Sequence, residues 1–219
     1  MNGQKVDGVK IMEKNNFLKD RKKPTETDVA LAIAYYPMLI ELSARQEKIT
    51  FDQFVQNAKA RYPKDQAVQN AIAFSTGRRF EFVRIFTELN GFPDLSAWVV
   101  NKAGKNSTAY NADYDPEVER ENSANTDWSL YHSEWDNHVV ELKKLAIKLK
   151  RRKPEEARKL MADFARKMRA KIEASIPNKK KLPYALLIKP YRSLILESLM
   201  EGKDLELAFN DLIFEPIED

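Results

Sequence analysis

Apolar residues recur at helical spacing over most of the chain, and the interruptions divide it into short elements. From Thr25 to Gln46, Val29, Ile33, Tyr36, Ile40 and Ala44 mark a helix that Thr27 caps and Pro37 kinks. Ile49-Thr50 reads as a short extended segment. It leads into a helix from Phe51 or Asp52 to Arg61, with Thr50 and Gln53 spaced as a capping box and Phe51, Phe54, Val55 and Ala58 inward. Pro63 ends it. Lys64 to Phe74 gives another short helical pattern. Ser75-Thr76-Gly77 then reads as a break, and a helix starting at Gly77 turns Phe80, Val83, Ile85 or Phe86, and Leu89 to the core. Arg78, Arg79, Glu81 and Arg84 are left for its outer side, and Asn90-Gly91 stops it. Ser96 to Asn101 has the branched and aromatic content of a strand, to which Ile49 is placed to pair, and Lys102 to Ser107 forms a turn with two lysines at its tip.

The second half reads as helical. Asp115-Pro116 opens a short acidic helix. Trp135, Val139, Leu142, Ala146 and Leu149 define a long one from Ser129 to about Lys153. Pro154-Glu155-Glu156 begins the next, with Leu160, Phe164, Met168 and Ile172 inward, and the two are expected to pair antiparallel across Arg151 to Pro154. Tyr191 to Met200, stopped at Gly202, and Leu205 to Ile213 close the chain. The expected fold is mainly α: an N-terminal winged helix-turn-helix with a small β wing, followed by an all-α C-terminal half. The corresponding divisions are 1–24 as a flexible basic lead-in, 25–128 as the winged-helix module, and 129–219 as a helical region with a basic helix pair and an acidic tail.

Composition narrows the functional classes. The 219 residues are 43% hydrophobic and 32% charged with mixed sign, enough apolar content for a core. The chain has no cysteine, which excludes disulfides, thiol nucleophiles and cysteine-held zinc. No stretch is apolar for the roughly 20 residues a membrane helix needs, so a cytoplasmic protein without membrane contact is expected. Net charge is +4 but uneven: Glu141 to Lys181 holds 16 Lys/Arg against 5 Asp/Glu. That run fits an anionic partner or a solvated helix face.

The candidate chemistry is recognition of double-stranded DNA. A recognition helix presents its N-terminal residues to base edges, and arginine suits guanine O6 and N7. Thr76, Gly77, Arg78, Arg79 and Arg84 form the expected reading head. Lys102 and Lys105 would grip a neighbouring phosphate, and Lys143, Lys150, Arg151 and Arg152 would track the backbone without reading sequence. No phosphate-cradling glycine loop and no serine-nucleophile elbow is present, so a non-enzymatic role without cofactor or metal is expected.

The motifs Ile49-Thr50-Phe51, Gly77-Arg78-Arg79, Gly91-Phe92-Pro93-Asp94-Leu95 and Val99-Val100-Asn101-Lys102 resemble a winged-helix module of uncharacterised phage, plasmid and restriction-linked bacterial proteins. The run from Asp115-Pro116 to Asp127-Trp128 resembles the segment that often follows that module, and the likeness spans about Ala32 to Trp128. It implies a regulator or accessory factor of a phage, plasmid or other mobile element. The opening is also similar to the winged helix of alkylguanine transferases, whose activity needs a cysteine that this chain lacks.

Two other readings stand beside this one. An interaction protein, acting on a host nucleic-acid or defence enzyme or on a second copy of itself, would use the acidic tail and apolar helix faces. A metal-dependent nuclease would use Glu134 with His138, or His132 with Asp136, each pair sharing one helix face.

Overall fold

A computed structural model describes residues 23–106, 114–174, 189–205 and 208, in two compact units. The lead-in to Lys22, the basic loop 178–183 and nearly all of the final helix expected from Leu205 lie outside the described residues. The first unit takes the chain up to Ser107 and from Asp113 to Lys148, and the second takes the remainder. The first thus runs about 20 residues past the expected boundary after Trp128, because the helix that follows Trp128 packs into its core.

The first unit is built around α1 (Glu26–Arg45), which touches nearly every other helix in it. Leu31, Tyr35 and Leu39 are fully buried along it. The cap is Thr25 rather than Thr27. Thr25 Oγ1 accepts the Asp28 N–H at 3.2 Å, while Asp28 Oδ2 accepts the Thr25 N–H at 2.9 Å, a reciprocal box that Thr27 is too far along the helix to make. Pro37 sits inside the continuous helix. The carbonyl it leaves unpaired belongs to Ile33, on the partly exposed side where water can reach it.

The other Asp28 oxygen, Oδ1, accepts from Arg79 Nη1 in a buried ion pair, with Arg79 only 1% exposed. A buried carboxylate is tolerable here because both its oxygens are hydrogen-bonded, its counter-charge is in contact, and it lies in the first turn of a helix, where the dipole favours an anion. Backbone pairing of Thr25 with Ile147 closes the same corner, with Ile147 N–H to Pro24 C=O at 2.9 Å.

After α1, β1 (Ile49–Thr50) leads into α2 (Phe51–Arg61), capped by Thr50 and Gln53 as the spacing requires. Then come α3 (Gln66–Gln69), α4 (Ala73–Arg79) and α5 (Glu81–Asn90). The helix expected to start at Gly77 does not. Ser75 and Thr76 direct their hydroxyls back to the Ile72 carbonyl, at 3.2 and 2.9 Å, and so behave as helix residues rather than caps. Gly77 therefore lies inside α4, and the joint falls at Phe80. Phe80 is drawn into the core, meeting Phe54 at 5.1 Å and Tyr35 at 5.7 Å, both edge to face. Gly91, at φ 67°, ends α5 as expected.

The strand expected from Ser96 to Asn101 shrinks to β2 (Val99–Val100). Leu95–Trp98 form a 3-10 turn, because Asp94 caps it at the Ser96 N–H and because Leu95, Ala97 and Trp98 are all buried instead of alternating. β2 pairs with β1 in parallel, Ile49 opposite Val99, so the pairing expected of Ile49 is present but an antiparallel wing is not formed by these two strands. Next come α6 (Pro116–Ala124), a 3-10 turn at Trp128–Tyr131 and α7 (His132–Leu145). Trp135 of α7 stacks on Tyr36 of α1 at 3.9 Å. Burial, with Glu134 and Asp136 nearby, raises the Tyr36 hydroxyl well above its ordinary pKa. α7 stops at Leu145 instead of running to Lys153, because Ala146 turns extended and Ile147 is claimed by Thr25.

In the second unit, α8 (Pro154–Ala174) packs on α9 (Lys189–Met200). Ala157, Met161, Leu194, Ile195 and Leu199 are buried between them. The core stripe of α8 is one residue out of phase with the expectation: Met161 is 5% exposed and Leu160 40%. Its continuation through Phe164, Met168 and Ile172 lies outside the described side chains. Gly202, at φ 101°, follows α9 where any Cβ would stand 2.4 Å from the Lys150 carbonyl oxygen, so only glycine fits.

Removing the Arg79 side chain strands a buried carboxylate. Arg79→Ala is expected to lower unfolding free energy by about 3–5 kcal/mol in urea titration. The exposed Lys143→Ala is expected to stay within about 0.5 kcal/mol of the parent. An Arg79→Ala loss no larger than the Lys143→Ala change would contradict the pairing.

Candidate nucleic-acid interface

The residues expected to form a reading head are mostly occupied in holding the fold. Thr76 and Arg79 are buried, and their polar groups are taken by Ile72 and Asp28. Arg84 of α5 turns back onto the preceding helix α4, donating from Nη2 to the Gly77 carbonyl at 2.9 Å. Gly77, inside α4, exposes no helix N-terminus, and the Arg78 side chain lies outside the described residues. The expectation that Arg79 and Thr76 face solvent is thus corrected. Their sequence neighbourhood looks like a helix start, but the carboxylate that claims Arg79 lies 51 residues earlier.

The lysine turn is displayed. Lys102 and Lys105 are exposed on a turn closed by Asn101 N–H to the Lys105 carbonyl at 2.7 Å. Asn101 Oδ1 accepts the N–H groups of Ala103 and Lys105, both at 2.9 Å. Asn106 fastens the far side, donating to the Ala97 carbonyl at 2.7 Å and accepting from buried Arg120 at 3.0 Å. Lys102 Nζ lies 3.4 Å from Asp52 at the start of α2. The turn therefore sits at one end of α2, while Lys59, Arg61 and Lys64 follow at the other.

The solvent face of α2 has no cationic signature in the sequence. Gln53, Gln56, Asn57 and Ala60 are exposed and share the side opposite Phe54, Val55 and Ala58. The flanking carboxylates already have partners. Asp52 meets Lys102, Glu41 accepts from Arg61 Nη1 at 2.7 Å, and Asp65 Oδ1 caps α3 at the Ala67 N–H at 2.9 Å.

The second unit presents a separate cationic surface. Lys150, Arg151 and Lys153 are exposed on the extended strap before α8, and Arg158, Lys159 and Arg166 are exposed along that helix. Glu155 and Glu156 share the first turn, where they complement the helix dipole. Arg152, expected among the phosphate contacts, instead donates from Nη1 to the carbonyls of Leu199 at 3.0 Å and Lys203 at 2.6 Å, closing the end of α9. Lys143 is exposed on α7 of the first unit.

The histidine pairs on α7 do not assemble a metal centre. His138 donates from Nε2 to the Phe82 carbonyl at 3.0 Å and packs between Phe86 and Trp135, whereas Glu134, His132 and Asp136 are exposed. No group of three or more potential ligands converges among the described residues. No helix among the described residues is long and apolar enough to cross a membrane. No family model, curated protein or solved structure matches the chain.

The anchoring of the lysine turn is pH-dependent in a defined direction. The hydrogen bond from Arg120 holds the Glu117 carboxyl below its usual range, with the charges of Arg120 and Lys48 adding to the effect. A depressed carboxyl stabilises the fold above its unfolded pKa, about 4.3, and that contribution is lost as pH falls through the lower folded value. Glu117 is largely exposed, which limits the gain to less than about 1 kcal/mol. The stability difference between the parent and Glu117→Gln is expected to be full at neutral pH and to disappear in acid, as read by thermal melts across pH. A difference that grows as pH falls would contradict it.

Proposed function

We propose that this chain is a non-enzymatic DNA-binding protein that grips duplex phosphates through its second unit. The observation that carries this is the joint exposure of Lys150, Arg151 and Lys153 on the strap and Arg158, Lys159 and Arg166 on α8. Exposed arginines and lysines along an extended strap and a helix suit a polyanion with charges every few ångströms, and such contacts are largely indifferent to sequence. The first unit runs helix, strand, four helices, a 3-10 turn and a strand, then the lysine turn, and the winged-helix resemblance rests on the sequence motifs together with this strand pairing and turn. That resemblance in turn favours a regulator or accessory factor of a phage, plasmid or other mobile element. Because Arg79 and Thr76 are internal, α4 and α5 are not the groove-inserting element in this reading.

Salt dependence tests the proposal. Binding to a fluorescent 20-base-pair duplex is measured by anisotropy as salt increases. The variant Lys150→Ala/Arg151→Ala/Lys153→Ala is expected to weaken binding and to flatten the slope of log K against log salt by about 2–3, near 0.9 for each phosphate no longer neutralised. Arg152 is left intact because it closes α9. An unchanged slope, or no duplex binding by the parent at low salt, overturns the proposal.

A further inference from the structure

The geometry points to α2 as a base-reading helix, presenting Gln56, Asn57 and Ala60 to A·T pairs in the major groove. In a chain that is 32% charged, a solvent-facing helix side made of Gln53, Gln56, Asn57 and Ala60 carries no charge at all. Solubility alone is served better by glutamate and lysine on such a face. Asparagine and glutamine amides instead match adenine N6 and N7 in two-bond geometry, and an alanine methyl packs on the thymine methyl. Gln53 is the least available of the four, because its Oε1 accepts from the Thr50 N–H at 2.8 Å. Gln56, Asn57 and Ala60 therefore carry the assignment.

Charge complementarity selects duplex DNA as the occupant. α2 has 11 residues, about 16 Å at 1.5 Å per residue, and a B-form major groove is about 12 Å wide. Lys102 and Lys105 stand at its N-terminal end and Lys59, Arg61 and Lys64 at its C-terminal end. With the amide face in the groove, Lys105 at one end and Lys59 and Lys64 at the other are the cations left for the bordering backbones, since Lys102 and Arg61 are paired with Asp52 and Glu41. The carboxylates beside the face are paired or capping, so they do not repel phosphate freely. Phe54 and Ala58 are fully buried beneath the face, and Gln53 and Thr50 lock the first turn, so the amides are borne by a rigid element.

The assignment rests on the DNA-binding reading above, and one experiment separates the two. The full-length protein is incubated with a pool of random-sequence duplexes at low salt, and the retained fraction is counted and sequenced. Enrichment of a short A·T-containing core supports the assignment. Gln56→Ala/Asn57→Ala should abolish that enrichment and lower affinity for the enriched duplex about tenfold or more, while leaving affinity for the unselected pool unchanged. Alanine suits exposed helix positions, so the fold is retained. As a second variant, Gln56→Glu should shift the enriched base toward cytosine, whose N4 amino group donates to a carboxylate. Retention of the pool without base preference, or a preference identical in all three proteins, overturns the α2 assignment alone. No retention of any duplex overturns it together with the DNA-binding reading.

Discussion

The Asp28 carboxylate joins two segments that are far apart in the chain, the start of α1 and the end of α4. One oxygen closes the cap of α1, and the other takes the guanidinium at the end of α4. The residue just before α1 also bridges to the strand-like segment after α7. Because α1 is the element on which the rest of the first unit packs, its starting point fixes where those helices sit. An unpaired charge in that position would be far more costly than an unmade surface pair, so Arg79 is effectively committed. That commitment removes the most conspicuous arginine from the set available to a partner.

The same division between structural and displayed cations recurs elsewhere. Arg120 holds Asn106 and the Ala97 carbonyl, Arg152 closes the end of α9, and Arg84 folds onto Gly77. In each case the guanidinium adds donors to backbone carbonyls and ties together segments distant in the chain or in neighbouring helices. The displayed cations include Lys102, Lys105, Lys143, Lys150, Lys153 and Lys159 together with Arg151, Arg158 and Arg166, whereas Lys203 is buried. A flexible ammonium is a poor ligand for several fixed carbonyls and a good one for phosphate in water.

Much of the local structure was legible in the sequence. The Thr50–Gln53 box, the stop at Gly91 and the opening of α8 at Pro154 follow from nearest-neighbour chemistry and simple spacing, and Ile49 pairs within the segment expected of it, though the parallel register does not follow from them. What was not legible depended on distant residues. The joint between α4 and α5 falls at Phe80 because Tyr35 and Phe54 offer it an aromatic site. The end of α7 is set by Thr25, over a hundred positions earlier. The phase of α8 is decided by which of Leu160 and Met161 faces α9. In the candidate site, the lysine turn and the basic character of 150–153 were legible, the non-helical form of that segment was not, and the roles of Arg79 and Arg152 were inverted. The amide face of α2 was not legible, because a face without charge does not stand out in a sequence rich in it.

The central claim is that cations on the surface meet DNA while the conspicuous arginines hold the fold together. Lysine-reactive footprinting of the intact protein, with and without duplex DNA, addresses this most directly. Lys150, Lys153 and Lys159 are expected to lose reactivity when DNA is bound, with Lys102 and Lys105 protected in the same complex. Bound protein in which all five lysines react as readily as in the free protein would contradict the account.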